Sequence, residues 1–188
     1  MSNKGKKGRL FVVSGPSGAG KSSIIERFLK EDARSHFSIS YTTRQKRPRE
    51  EDGKDYYFID QALFRKMVEE ESFLEWEQVH SHSYGTPAKE VGDTLRQGLD
   101  MILDIDVKGA LRIKEKCPEA CLVFVEPPSK EELVKRLSLR GEKELELRMK
   151  RVEEELAQKR FFQYTIVNDT LEKAYEDFVA IVDAMRRM

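Results

Sequence analysis

The sequence predicts an α/β fold of three layers, α/β/α, with a central parallel sheet, on three observations. Residues 15–22 read Gly15-Pro16-Ser17-Gly18-Ala19-Gly20-Lys21-Ser22, a complete G-x-x-x-x-G-K-[ST] phosphate loop. Short apolar runs alternate with longer segments of helical period, the order that lays helices on both faces of parallel strands. Residues 36–98 break that alternation with β-type composition, and predict an inserted, partly antiparallel subdomain. With 188 residues the chain holds one core with small excursions rather than two full-sized domains.

The elements follow in order. Leu10-Phe11-Val12-Val13 opens a buried strand, 10–14, that delivers the loop. Ile24, Ile25, Phe28 and Leu29 at helical spacing predict a helix over 21–32. Within the insertion, Ser38 to Thr43 and Tyr56 to Ile59 have β-type composition, Gln61 to Glu71 is helical, Phe73 to Val79 extended, and Lys89 to Gln97 helical. The core resumes with strands over 100–105, 120–125 and 164–167, and helices over 108–115, 130–139, 144–161 and 171–185. The last helix carries Leu171, Ala174, Tyr175, Phe178 and Val182 on one stripe, an apolar face to lay on the sheet. One domain results, with core segments 8–35, 99–128 and 162–188, the insertion 36–98 and a helical pair, 129–161, turning at Gly141.

Composition removes several functions. Lys plus Arg and Asp plus Glu stand at 34 each, so the chain has none of the overall positive field of a nucleic-acid binder, and any anion is caught locally. Charged residues make up 36% but are mixed in sign, which reads as solvated helix faces. Cys117 and Cys121 stand alone, without His or Cys partners at metal-site spacing, and a reduced, cytoplasmic setting is expected. The leader Met1-Ser2-Asn3-Lys4-Gly5-Lys6-Lys7-Gly8 is basic, with no apolar signal-type region after it and no run long enough to span a bilayer. No nucleic acid and no membrane are expected as partners, and nothing favours a monomer over a homo-oligomer.

The loop carries its own chemistry. Glycines let the backbone turn successive N–H groups toward phosphate oxygens, and the helix N-terminus adds partial positive charge. Gly15 to Ser23 would then hold a nucleoside triphosphate, Lys21 reaching its β- and γ-phosphates and the Ser22 hydroxyl taking one Mg²⁺ position. A second substrate is suggested by Thr42-Thr43-Arg44-Gln45-Lys46-Arg47-Pro48-Arg49, followed by Tyr56, Tyr57 and Tyr84, since arginine forks and phenols suit a phosphate dianion. A solvated basic loop is the other reading of the same charges. Glu75 beside Trp76, and Asp104 and Asp106 at the end of an apolar strand, are the nearby acceptors.

These residues carry a resemblance. The chain resembles the guanylate kinases, which transfer the γ-phosphoryl group of ATP to GMP in purine nucleotide metabolism, from about Gly8 to near the C-terminus. Beyond the loop, the similarity lies in Ser40-Tyr41-Thr42-Thr43-Arg44, Gly53-Lys54-Asp55-Tyr56, Phe73-Leu74-Glu75-Trp76, Tyr84-Gly85-Thr86-Pro87, Leu103-Asp104-Ile105-Asp106-Val107-Lys108-Gly109 and Ile166-Val167-Asn168-Asp169. The resemblance implies that Arg44, Arg47, Tyr56 and Tyr84 hold the GMP phosphate and that Ser40, Glu75, Thr86 and Asp106 line the guanine site. It places Asn168 near the adenine of ATP, and Arg136, Arg140 and Arg151 on a lid that closes over the phosphates. Asp104 either reaches Mg²⁺ through water or serves the GMP site. Substrates ATP and GMP, with dGMP as a further acceptor, and Mg²⁺ as cofactor follow.

Physical chemistry supports the base assignment: guanine presents N1–H and a 2-amino group to a carboxylate, whereas adenine would leave a buried Glu75 unsatisfied. The sequence departs from the family pattern at Gly141-Glu142-Lys143-Glu144-Leu145-Glu146, which lacks a Thr- and Ser-bearing segment, and this bears on the alignment of Arg148 and Arg151. Arg148 reads as an exposed arginine on an amphipathic helix. Gln45-Lys46 stands where prolines are usual, and Ser22 where many loops have Thr. His36, His80 and His82 are read as surface residues, the latter two in a polar turn before Tyr84. Two other functions fit the same fold: a catalytically silent interaction module, which typically loses the loop lysine and lid arginines, and a related kinase for another phosphorylated acceptor.

Overall fold

The computed structural model describes residues 7–79, 81–139 and 145–188, with the backbone alone for 145–148. Its central sheet has five parallel strands in the order β2-β7-β1-β8-β9. Strand β1, Leu10–Ser14, lies in the middle, with Val12 opposite Leu103 of β7, Asp100–Asp104, and opposite Leu122 of β8, Cys121–Glu126. All five β1 residues are buried, as a strand covered on both faces requires. Alternate side chains go to opposite layers. Phe11 and Val13 meet Ile24 and Phe28 of α1, Lys21–Glu31, and Phe178 and Val182 of α7, Leu171–Arg187. Leu10 and Val12 meet Val91 and Leu95 of α3, Ala88–Arg96, and Ile113 of α4, Val107–Lys116. Strand β9, Tyr164–Val167, forms one edge and β2, Ser35–Phe37, the other.

The second sheet is mixed, in the order β4-β3-β6-β5. Strand β3, Tyr41–Thr42, runs parallel to β4, Tyr57–Phe58, and antiparallel to β6, His82–Pro87, which pairs antiparallel with β5, Phe73–Val79. Helix α2, Gln61–Glu69, starts where the Asp60 carboxylate accepts the Leu63 N–H at 2.7 Å. Its Phe64 ring stacks on Phe73 at 4.7 Å, fixing the helix to the sheet. Helix α5, Lys130–Leu139, and α6, Leu145–Ala157, join through Leu133, Leu137 and Val152.

Three features differ from the sequence expectations. Strand β2 carries only Ser-His-Phe and has no apolar run to announce it; its place comes from pairing Ser35 to Phe37 with Asp100 to Ile102. Strand β6 includes His82, read from sequence as part of a polar turn, because β5 supplies the hydrogen-bonding partner that its own composition does not predict. Helix α6 stops at Ala157 and a 3₁₀ turn, Lys159–Phe161, completes the segment that periodicity reads as one helix. The Gly141 turn lies outside the described residues. Among the described residues no helix is long and apolar enough to cross a membrane.

Candidate active site

The phosphate loop leaves β1 and enters α1 with Gly15, Gly18 and Gly20 all at positive φ. Gly15 has φ 134°, and a Cβ there would stand 2.0 Å from the Val125 carbonyl oxygen. Gly20, the residue before α1, has φ 90°, and a Cβ would stand 2.2 Å from Asn168 Nδ2. Asn168 is buried, and its amide donates to the Ala19 carbonyl at 2.7 Å while its own N–H donates to the Glu126 carbonyl at 2.8 Å. The side chain that the resemblance sets near adenine thus braces the loop from the turn after β9. Lys21 Nζ donates to the Gly15 carbonyl at 2.7 Å and stands 3.8 Å from Asp104 Oδ1. Ser22 Oγ donates to Asp104 Oδ2 at 3.3 Å. Asp104 ends β7 directly beside Val13 in register, so parallel pairing alone brings it to the loop. Burial pushes its carboxyl above the usual range, against the pull of Lys21 and Ser22.

Facing the loop is the second sheet. Arg44 forms a two-pronged pair with Glu50, at 2.9 and 2.8 Å, with its guanidinium near the Tyr56 ring at 5.4 Å. Glu50 also accepts the Arg47 N–H at 2.8 Å, while the Arg47 side chain is 69% exposed. Burial pushes the Tyr56 phenol up to about 12, so it remains a donor; its ring meets Tyr84 at 5.9 Å. Glu75 is buried on β5 and accepts from the Thr86 hydroxyl at 2.7 Å across the β5–β6 pair. Burial pushes its carboxyl up to about 7; the Thr86 hydrogen bond opposes that shift and repulsion from Asp106 adds to it. Asp106 caps α4 by accepting the Gly109 N–H at 2.8 Å.

A cavity of about 630 Å³ lies between these walls. Gly15, Ser17 and Lys21 line it on one side and Ser40, Arg44, Arg47, Tyr56, Glu75 and Tyr84 on the other, with Asp104 and Asp106 between them. Arg151 and Glu155 enter from α6, their side chains 3.2 Å apart. Residues of one chain separated by more than 100 positions therefore share one space.

Other predicted residues sit around the cavity rather than in its lining. Thr86 lies behind Glu75, and Ser23 is exposed on α1. Arg136 donates to Glu132 at 3.0 Å and to the Asn168 carbonyl at 3.2 Å, which puts it on the loop side of the cleft. Gly18 meets Leu133 and Leu137, so α5 rests on the loop. Arg140 and His80, and the side chain of Arg148, lie outside the described residues. His36 is exposed, whereas His82, read from sequence as a surface residue, is half-buried and lines the cavity. Sequence reasoning also missed Glu50, whose only signal is an acid three positions after Arg47, and Glu155, which sequence shows merely as part of an acidic run. Gly109 was visible within the Asp104-to-Gly109 motif without a role; a Cβ there would stand 2.9 Å from Glu75 Oε2.

Comparison with known proteins agrees with this geometry. The guanylate kinase family model matches residues 7–185. The chain is 46% identical over 187 residues to a guanylate kinase of Thermus thermophilus, covering 98% of this chain and 83% of that protein. It is 48% identical over 183 residues to that of Thermotoga maritima, covering 96% and 88%. The crystal structure of guanylate kinase from Anaplasma phagocytophilum superposes with a TM-score of 0.83 at 28% identity, over 98% of this chain and 89% of that one. A family model that spans nearly every described residue, and relatives 46–48% identical over most of their length, show that the chain belongs to the guanylate kinase family.

Proposed function

We propose that this chain transfers the γ-phosphoryl group of ATP to GMP, the guanylate kinase reaction of its family, with the labour divided between the two walls of the cleft. The single observation that carries this reading is the shared cavity: Lys21 and the loop on one side, Arg44 and Glu75 on the other. In it, main-chain N–H groups from Gly15 to Ser23 cradle the ATP phosphates and the Lys21 ammonium leaves the Gly15 carbonyl for the β- and γ-oxygens. Arg44, Arg47, Tyr56 and Tyr84 hold the GMP phosphate, and Glu75, with Ser40, Thr86 and Asp106, reads the base. A GMP phosphate oxygen forms a bond to the γ-phosphorus as the bond from that phosphorus to the β,γ-bridging oxygen breaks, so that ADP and GDP result. A phosphate acceptor is already ionised near neutral pH, so no side chain has to remove a proton.

The donor set at the loop fits a magnesium ion. Ser22 Oγ and Asp104 are a hydroxyl and a carboxylate within 3.3 Å of each other, the hard oxygen ligands Mg²⁺ takes alongside waters and phosphate oxygens. Ser22 would bind it directly and Asp104 directly or through water. When bound, the ion supplies positive charge to the β- and γ-phosphate oxygens. Arg136 and Arg151 add cationic charge from the helical pair, with Arg140 proposed from sequence alone, and closure of that pair keeps out water that would hydrolyse ATP. Asn168 contributes to the ATP side by holding the loop, with adenine passing beside its turn.

An ADP-forming assay with GMP, dGMP, AMP and UMP as acceptors tests the reading. Turnover with GMP and dGMP and background rates with AMP and UMP are expected. Equal rates with AMP would refute the base assignment, and ADP formation indifferent to every acceptor would refute the transfer.

A further inference from the structure

Strand β5 is an edge strand, and edges present main-chain carbonyl groups that no neighbouring strand satisfies. Two of these carbonyls are taken by α4. Lys116 Nζ donates to the Leu74 carbonyl at 2.7 Å, and Arg112 Nη1 donates to the Trp76 carbonyl at 2.6 Å. The residue between them is Glu75. Arg112 also places Nη2 2.6 Å from Glu77 Oε2. Gly109, Arg112 and Lys116 fall at i, i+3 and i+7, one face of the helix, and at Gly109 that face comes so close to Glu75 Oε2 that a Cβ would stand 2.9 Å away. The same helix is capped by Asp106, which lines the cavity.

We propose that α4 is the positioning element of the purine site: Arg112 and Lys116 hold β5 by the two carbonyl groups flanking Glu75, and Gly109 leaves the space that sets the depth of its carboxylate. The two cations are positioning residues, since neither touches a reacting atom. This rests on Glu75 as the reader of guanine. Its physical content is that a carboxylate selects between purines only if it cannot drift: a shift of about 1 Å turns a paired set of hydrogen bonds into a poor one and narrows the difference between ligands. A flexible edge strand permits such drift, and two charged donors one helical turn apart prevent it.

The test uses the full chain with Arg112→Ala/Lys116→Ala and, separately, Gly109→Ala. For both, KM for GMP is expected to rise about tenfold and the preference for GMP over inosine monophosphate, which lacks the 2-amino group, to shrink, with KM for ATP within about twofold. Arg112→Lys/Lys116→Arg, which keeps both donors, should restore most of the GMP affinity. Gly109→Ala raises intrinsic helix propensity, so a defect confined to GMP cannot be ascribed to a weaker helix. Unchanged GMP affinity and purine preference in the double variant would overturn the proposal, as would a parallel loss of ATP and GMP affinity with a lowered melting temperature. Glu75→Gln serves as the control. If it raises KM for GMP while the double variant does not, only the positioning role fails; if it changes nothing, the reading of Glu75 and the proposal fail together.

Discussion

Where the donor wall of the cleft is main chain, with Gly15 and Gly20 at positive φ and a single ammonium group, the acceptor wall is side chain, drawn from Ser40, Arg44, Tyr56, Glu75 and Tyr84 on separate segments. The parts of the donor wall are continuous in sequence and braced from outside, by Asn168 to Ala19, by Asp104 to Ser22 and by α5 resting on Gly18. The acceptor wall has no continuous piece; its groups are held by one another, Arg44 by Glu50 and Glu75 by Thr86. A phosphate can be met by amides of any sequence that bends correctly. A base must be met by particular atoms, and those need neighbours.

If that contrast is right, damage to the donor wall should abolish turnover with every acceptor, while damage to the acceptor wall should alter selection. The largest effect is expected for Lys21→Ala: turnover falls about a hundred- to a thousandfold with GMP and dGMP alike. A loss confined to one acceptor would blur the division. Next comes Glu75→Gln, expected to raise KM for GMP about a hundredfold with KM for ATP little changed, because an amide cannot accept from both N1–H and the 2-amino group.

The pH dependence belongs to the same residue. With a carboxyl pushed up to about 7 from an ordinary 4.5, the empty folded state binds its proton more tightly than the unfolded chain does. Both states are protonated below about 4.5, and the desolvated charge appears in the folded state as pH rises through about 7; stability therefore falls across that window by about 3 kcal/mol at most. On the proposed reading, in which the Glu75 carboxylate pairs with guanine, GMP should bind more tightly over the same rise. Urea unfolding and GMP titrations at pH 5.5 and 8 check both signs, and Glu75→Gln should remove this contribution from each.

A smaller loss is expected for Gly20→Ala. The new Cβ meets Asn168 Nδ2 and the residue must keep a φ of 90°, so stability should fall by about 2 kcal/mol and KM for ATP should rise, measurable by urea unfolding and ATP titration. The smallest is Glu50→Gln. Glu50 forks Arg44 and accepts the Arg47 N–H, so weakening it should raise KM for GMP about threefold. A lower KM would instead make Glu50 a competitor of the substrate phosphate, and would sharpen the comparison by showing an acceptor wall that opposes its own ligand.

Legibility follows the same line. The loop, β1 and α1 were readable from residues 10–31 because strand, glycines and helix are consecutive, and the helix that follows β9 was readable from its stripe of Ala174, Phe178 and Val182. Arg44, Tyr56 and Glu75 were found through motifs, but their partners were not. Glu50 looks like any acid in a charged loop until Arg44 is seen to fork onto it, and Gly109 looks like a helix glycine until Glu75 Oε2 is placed over it. Strands β2 and β6 escaped because Ser-His-Phe and His-Ser-Tyr-Gly-Thr-Pro contain no periodic signal; hydrogen bonds to β7 and β5 make them strands.

By itself the sequence determined what is local: a glycine-rich turn with the complete pattern of a phosphate loop, the periods that make strands and helices, and the charge balance that leaves any anion to be caught locally. Tertiary structure alone decided which carboxylates change character. Asp104 and Glu75 are ordinary acids in the chain; parallel pairing half-buries one beside Lys21, and an edge strand laid on α4 buries the other beside Thr86. The reason is that charge energetics depend on desolvation and on distances of a few ångströms between residues far apart in sequence, and folding is what sets both.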